Sequence, residues 1–361
     1  MSEQQENVAE GGSASAEQSE AYAYCELPIV PEPVFESDVN AFRESLIRVH
    51  RSKWANGTVL HYFFFDTMEE QKNVVREAFD TWKDLGIGLR FEEVDSPTEA
   101  EIKIGFVRDD GSWSFVGRDV IDLAPGADER TMNFGWDLTR DPSEIDTAVH
   151  EIGHTLGFPH EHQNPNAGIV WDEEAVFAAL AKPPNRWPRE KTRFNIIRKI
   201  DPDTVQGSEW DPNSVMHYPF EPGLIKEPAR FRTGLIPAGG LSERDKTWVR
   251  TFYPPLSEDD HEELRPLEAA QLAIAAGEQR NFIIRPEATR YYEIRTFGTS
   301  DAVMVLFEDV NGEPRYLTAD DDSGENRNDY IRIKLMKGRE YILRIRLYYA
   351  ARASETAVMI W

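Results

Sequence analysis

The spacing of apolar residues predicts two regions of different architecture. Before about residue 255, aromatic and β-branched runs such as Thr58–Phe65 alternate with helical spacing, as in Met68–Leu85. After residue 267, short strand-like runs follow one another with turns between them, and alternation is clearest in Tyr341–Leu347. The first region is therefore expected to be α+β, and the second a small all-β sandwich.

The same pattern places the individual elements. Further strands of the first region are expected at Leu89–Val94, Ile102–Val107 and Arg130–Trp136. Its helices are expected near 173–181, 188–199 and Ser242–Phe252, with another that starts at Ser143 as N-cap and ends near Leu156. Strands of the second region are expected at Gln279–Arg285, Arg290–Phe297, Ala302–Glu308, Tyr330–Leu335 and Glu340–Leu347.

Composition sets the domain boundaries. Residues 1–24 are polar, contain no Lys or Arg and are expected to be disordered. Residues 25–50 mix apolar residues with prolines, which is typical of an extended segment lying on a surface. Residues 51–255 form the first domain, the charged residues 256–266 read as a linker, and 267–361 form the C-terminal domain.

Charge and cysteine content restrict the partners and the cross-links that are expected. A net charge of −25 disfavours nucleic acid and anionic membranes as partners. No apolar run approaches the ~18 residues of a membrane span, and the N-terminus lacks the basic and apolar regions of a Sec signal peptide. The chain has one cysteine, Cys25, which excludes an intramolecular disulfide. We expect a monomer.

Residues 150–160, HEIGHTLGFPH, carry the chemistry. On a helix His150 and His154 are one turn apart and share a face, so their imidazoles can bind one metal ion, most naturally zinc. Glu151 lies beside them, where it can take a proton from metal-bound water. Gly157 can end the helix in the left-handed conformation, and His160 can then close a three-histidine set.

A second motif, Ser214-Val215-Met216-His217-Tyr218, follows downstream. Together the two motifs resemble the metzincin zinc peptidases with their methionine turn, and the fold class implied is the metzincin catalytic domain. Three further features resemble the astacin-like branch: Glu161 after the third histidine, the segment Ser114–Arg118 (SFVGR), and Trp54–Val59 (WANGTV). The resemblance covers roughly residues 50–255.

The resemblance implies a zinc-dependent endopeptidase that acts on protein or peptide substrates. It implies His150, His154 and His160 as ligands of one catalytic zinc ion and Glu151 as general base. Tyr218 is implied as a further ligand at rest that stabilises the oxyanion during reaction, and Met216 as a hydrophobic floor. The alternative is a zinc-binding but inactive protein that serves as an interaction module, against which the intact Glu151 argues.

Substrate would lie extended along an edge strand of the sheet. Residues 130–136 are the candidate, because they precede the zinc helix. The alternative is that this strand is internal to the sheet.

The N-terminal segment suggests a zymogen. Phe35–Asp38 (FESD) resembles the FEGD latency motif of astacin propeptides, in which the aspartate binds zinc, with Ser37 in place of glycine. Asp38 is therefore the first candidate for a latency ligand, until cleavage near residues 45–54. Cys25 is the second, because a thiolate binds zinc well; its surroundings do not match the switch motif of matrix metalloproteinases.

The C-terminal region resembles the prepeptidase C-terminal domains of microbial secreted peptidases. Its Asp320–Asp322 turn is a candidate calcium site, with a solvated acidic turn as the more common alternative. By family resemblance the protein is expected to be secreted. Taken at face value, its N-terminus instead favours the cytoplasm.

Overall fold

The structure is a computed structural model. It describes residues 22–30, 52–54, 56–123, 125–200, 209–256, 261–275, 278–310, 312–321, 323–325, 328–349 and 356–361. Among these residues, no helix combines the length and apolar character needed to cross a bilayer.

The first domain is built on a five-stranded sheet. Its strands are β1 (Val59–Phe64), β2 (Arg90–Glu93), β3 (Ile102–Gly105), β4 (Trp113–Ser114) and β5 (Met132–Asn133). They lie in the order β2-β1-β3-β5-β4, and only β4 runs antiparallel to its neighbour. The candidate substrate strand at 130–136 is thus internal, and the expectation that it forms the edge is wrong. The edge next to it is β4, which the sequence did not indicate because it is two residues long; the other edge is β2.

Six helices are described in the first domain: α1 (Glu69–Lys83), α2 (Asp119–Asp122), α3 (Ile145–Thr155), α4 (Glu173–Leu180), α5 (Arg189–Thr192) and α6 (Glu243–Phe252). The spacing of Val74, Val75, Phe79 and Trp82 predicts one apolar side of helix α1. Val75, Phe79 and Trp82 are buried, whereas Val74 is partly buried. Trp82 also donates from Nε1 to the carbonyl of Val149, 3.0 Å away, so α1 packs directly on α3. The core of sheet, α1 and α3 thereby fixes the histidine-bearing helix.

Two helices differ from their predicted form. A 3-10 turn, Pro142–Glu144, precedes α3, and its N-cap is Asp141 rather than Ser143. Asp141 accepts from the Ser143 backbone N–H at 2.8 Å, and Pro142 directly after it suits a first helical position. The helix expected at 188–199 is α5 followed by a π-helical turn, Arg193–Ile197.

A second apolar core includes Trp171 and Ile225 of a two-stranded antiparallel sheet formed by β6 (Val170–Trp171) and β7 (Ile225–Glu227). Tyr24 and Cys25 belong to this core and are each 5% exposed. The ring of Tyr24 lies 5.2 Å from that of Tyr218 and 5.7 Å from that of Phe220. Residues 22–24 are therefore packed, although residues 1–24 were expected to be disordered, because their aromatic side chains find an apolar surface far along the chain.

The C-terminal domain is a sandwich of two sheets, as expected. Its strands are β8 (His261–Glu263), β9 (Ala269–Gln271), β10 (Gln279–Ile284), β11 (Arg290–Phe297), β12 (Asp301–Val310), β13 (Glu313–Asp320), β14 (Tyr330–Leu335), β15 (Glu340–Tyr349) and β16 (Ala357–Ile360). The sheet orders are β13-β12-β15-β10-β8 and β14-β11-β16-β9. Strand β8 falls within the predicted linker 256–266 and pairs with β10, so the C-terminal domain begins earlier than its charged sequence suggested.

In the acidic turn at 320–322, one carboxylate accepts hydrogen bonds from nearby backbone N–H groups. Asp320 accepts from the N–H groups of Ser323 and Tyr330, at 3.0 and 2.7 Å. Asp322 lies outside the described residues. The calcium site stays a prediction.

Candidate metal centre

Helix α3 holds His150 and His154 with one ring nitrogen of each already engaged. Nδ1 of His150 donates to the carbonyl of Val215 at 2.7 Å, and Nδ1 of His154 donates to that of Phe158 at 2.7 Å. These bonds fix both rings and leave Nε2 as the unprotonated ligand atom. Within the described residues, Nε2 of His150 has no hydrogen-bond partner, although it is buried.

His160 completes the set because the chain turns back after α3. Gly157 adopts a φ of +90°, as expected of a helix-ending glycine. His154 and His160 then approach to 3.1 Å between their Nε2 atoms. Burial lowers the pKa of all three imidazoles, that of His150 to about 4, and neighbouring histidines lower the pKa of His154 and His160 further. All three rings are therefore neutral, as metal ligation requires.

A fourth donor comes from the N-terminal segment. Sγ of Cys25 lies 3.5 Å from Nε2 of His154 and 3.3 Å from Nε2 of His160. The four ligand atoms, from Cys25 and the three histidines, all lie within 4.8 Å of one another. Three imidazole nitrogens and one sulfur are donor types that zinc prefers, and the separations of 3.1–3.5 Å among the donor atoms of Cys25, His154 and His160 are close to those of about 3.3–3.8 Å in a tetrahedral zinc site, so this donor set fits zinc. Zinc is the cofactor that we assign to the cluster.

The Cys25 thiol would change its charge when a metal ion binds. Burial raises the pKa of Cys25 well above its ordinary value, and the adjacent carboxylate of Glu151 raises it further. Without a cation the thiol would stay protonated, whereas a metal ion would stabilise the thiolate.

Glu151 follows His150 on α3 and is fully buried. Burial raises its pKa to about 8, which the neighbouring Cys25 thiol opposes. The side chain therefore lies beside the donor atoms in a water-poor environment, where a carboxylate is a strong base.

Tyr218 lies over the same cluster. Its hydroxyl donates to the backbone carbonyl of Cys25 at 2.7 Å and contacts Nε2 of His160. Burial raises the pKa of Tyr218 well above its ordinary value, so the phenol stays protonated and acts as a donor.

Met216 supports the cluster from below without contributing a ligand. A Cβ atom placed on Gly153, within α3, would lie 2.4 Å from Sδ of Met216. The backbone carbonyl of Met216 accepts from the N–H of Glu161 at 2.9 Å, directly after the third histidine. A side chain in place of Gly153 would therefore displace the side chain of Met216.

Asp245, on α6, holds the methionine turn in place and was not singled out from the sequence. Its carboxylate accepts from Ser214 Oγ at 2.6 Å and from the Val215 N–H at 2.9 Å. It also accepts from the N–H of Ser242, with which it forms a capping box. Ser242 was recognised as a helix cap, but the sequence does not show that the cap also reaches a turn about thirty residues upstream.

We therefore expect Asp245→Ala to lower the free energy of unfolding by about 2–4 kcal/mol, because it leaves buried donors of Ser214 and Val215 unpaired. Chemical denaturation would measure the loss. Glu243→Ala, at an exposed position of the same helix, is the control and should change stability by less than about 0.5 kcal/mol. Equal effects of the two substitutions would contradict this role of Asp245.

The remaining polar residues near the cluster have backbone partners. Nε2 of His162 bonds the carbonyl of Asn195 at 2.9 Å, and Nδ1 of His217 bonds that of Tyr218 at 2.7 Å. Glu161 accepts from the Asp211 N–H at 2.9 Å, and burial raises its pKa to about 7. These residues surround the site but do not join its donor set.

The N-terminal segment also occupies the edge of the sheet. Glu26 forms a parallel bridge with Trp113 of β4, and its N–H donates to the carbonyl of Ser112 at 3.1 Å. The carboxylate of Glu26 also pairs with Lys191. Asp38, the first candidate for a latency ligand, lies outside the described residues.

The end of α3 is held by the chain at residues 52–54. Trp54 donates from Nε1 to the carbonyl of Thr155 at 2.7 Å. Gly117, with a φ of +51°, donates to the carbonyl of His154 at 2.8 Å, and a Cβ there would lie 1.5 Å from the carbonyl oxygen of Ser52. The SFVGR segment thus needs its glycine because Ser52 passes directly over it.

Comparison with known proteins agrees with this geometry. A sequence model of the astacin family of peptidases matches residues 47–222. Zinc metalloproteinase nas-8 of Steinernema carpocapsae is 27% identical over 169 residues, which are 46% of this chain and 34% of that protein. This chain therefore spans about a third of the length of that curated relative.

Two solved structures are similar to parts of the chain to different degrees. The structure of myroilysin has 31% sequence identity and a TM-score of 0.52, and covers 58% of this chain and 98% of that one. The crystal structure of the pre-peptidase C-terminal domain of collagenase from Bacillus anthracis has 12% identity and a TM-score of 0.23, and covers 29% of this chain and 100% of that one.

Proposed function

We propose that this chain, which belongs to the astacin family of peptidases, is a zinc-dependent endopeptidase held latent by its own N-terminal segment. The observation that carries the proposal is the buried set of three neutral imidazoles with Glu151 beside them. A zinc ion bound by His150, His154 and His160 would acidify a water molecule and polarise a peptide carbonyl.

Glu151 and Tyr218 would provide the remaining chemistry. Glu151 is placed to receive the proton that the attacking water gives up and to deliver it to the leaving amine. Tyr218 is placed to donate its O–H to the negative charge that develops on the substrate carbonyl oxygen. In the described state that O–H is engaged by the carbonyl of Cys25, so the N-terminal segment must leave before Tyr218 can serve a substrate.

Latency is assigned to Cys25 rather than to Asp38. The sulfur of Cys25 takes the fourth donor position, which catalysis requires for water. The same segment bridges the edge strand β4 through Glu26, where an extended substrate would add itself to the sheet. One segment thereby blocks both the metal position and the substrate-binding edge.

A chelation experiment tests the proposed activity. The chain would be assayed on casein and on a quenched peptide library, before and after proteolytic removal of residues upstream of Ser52. Cleavage by the trimmed form, lost with 1,10-phenanthroline and restored by zinc, is the expected result. Stoichiometric zinc without cleavage of any library member would instead favour a zinc-binding interaction module.

A further inference from the structure

The C-terminal domain presents an unusual outer face towards the first domain. A sandwich needs to bury only the inner faces of its sheets, and β15 does so with Leu343, Ile345 and Leu347. The opposite side of β15 nevertheless carries Arg344 and Arg346, next to a separate apolar cluster of Val305, Phe307 and Ile342. An outer face of this composition indicates packing against another element.

Arg344 packs on the start of the first domain. It is 5% exposed, and its guanidinium lies 4.4 Å from the ring centroid of Phe307. On its other side is Gly57, where an added Cβ would lie 2.3 Å from Cζ of Arg344. Gly57 has a φ of +84° and shortly precedes the first strand of the sheet. Arg344 therefore packs against the segment that leads into β1 of the first domain.

Arg346 caps the last helix of the first domain. Its Nη1 donates to the carbonyl of Phe252 at 2.8 Å, and its Nη2 donates to that of Thr251 at 3.1 Å. Both carbonyls belong to the last turn of α6, where intrahelical partners are missing and the helix dipole favours a cation. A planar guanidinium satisfies two such acceptors at once, which an ammonium group cannot do in the same geometry.

The residue after this capped turn reaches the zinc helix. Tyr253 is fully buried, and its hydroxyl donates to the carbonyl of Leu156 at 2.8 Å. The same hydroxyl accepts from the N–H of Trp54 at 3.3 Å, and Trp54 holds the carbonyl of Thr155. Thr155 and Leu156 directly follow His154. Arg346 is therefore connected to His154 in two steps. Arg346 binds the end of α6, and Tyr253, the residue after α6, binds the end of α3.

We infer that the C-terminal domain is a fixed support of the zinc site, and that Arg346 is a positioning residue that holds His154 through Tyr253. The inference rests on the proposed function only for the identity of the metal. Its consequence is that loss of the Arg346 contact should loosen the end of α3 while leaving the rest of the first domain folded.

The test uses the zinc-loaded full chain with Arg346→Gln, Arg346→Lys and Arg339→Gln. Arg339 is an exposed arginine of the same domain that pairs with Glu308 at 2.6 Å, and its variant is the matched control. Hydrogen exchange would be followed at the N–H groups of Gly117 and Gly157, both of which bond the carbonyl of His154 at 2.8 Å. The rate of zinc loss to a chelator is the second readout.

We expect Arg346→Gln to speed exchange at these two amides at least tenfold and to speed zinc loss severalfold. Arg346→Lys should fall between it and the unaltered chain, because one donor and the charge remain, and it carries the test if the glutamine variant does not fold. Arg339→Gln should match the unaltered chain. Unchanged exchange at both amides, or an equal rise throughout the first domain, would overturn the inference. Neither readout requires peptide hydrolysis, so a zinc-bound but inactive chain would leave this test intact.

Discussion

Replacing Cys25 with alanine should raise the peptidase activity of the untrimmed chain by about a hundredfold. The substitution removes the fourth donor, whose sulfur lies 3.3–3.5 Å from two of the histidines, and opens that position to water. A hundredfold release corresponds to about 3 kcal/mol for a tethered thiolate ligand. Initial rates on a quenched peptide, with equal zinc content in both proteins, would measure the effect.

Two further variants show whether the activation is specific to Cys25. Ile29→Ala alters an exposed residue of the same segment, 67% exposed, and should leave the chain latent. Asp38→Ala tests the rival ligand suggested by the sequence. If Asp38→Ala activates the chain and Cys25→Ala does not, latency belongs to Asp38 and the assignment to Cys25 is wrong.

Substituting Glu151 by glutamine in the trimmed enzyme should lower kcat by about 10³–10⁴-fold, near the upper limit of what a general acid–base residue contributes. Glutamine keeps the shape of the buried side chain but cannot accept a proton. Bound zinc, measured by atomic absorption, should remain at one ion per chain because Glu151 is not among the four donors. Retention of more than a tenth of the activity would exclude Glu151 as the general base.

The zinc helix could be read from the sequence because its information is local. A separation of four residues places His150 and His154 on one face, and a helix-ending glycine at 157 gives His160 its approach. The apolar spacing of α1 likewise identified the side that packs on this helix. Where neighbouring residues decide the structure, the pattern of side chains was sufficient.

Long-range contacts were the part that the sequence did not determine. Cys25 contacts His154, which lies 129 residues further along the chain. No local sequence pattern distinguishes this cysteine from an ordinary buried thiol. The outer strands β8 and β13 escaped prediction for a different reason. Each is an edge of its sheet, and edge strands tolerate charged and polar residues that blur the alternation of apolar side chains. Asp245 is another long-range case, since its local role as part of a helix cap gave no indication of its contact with the methionine turn.

Because Trp54 is buried against the end of α3, N-terminal trimming is tolerated upstream of this residue but not beyond it. Trimming that stops before Ser52 leaves the indole bond to Thr155 intact, so mature forms with different starting residues would share one active site. Trimming past Trp54 would remove that bond and the partner of the Tyr253 hydroxyl together. An activating protease therefore needs no sequence precision upstream of Ser52, whereas cleavage after Trp54 would remove contacts of the zinc helix.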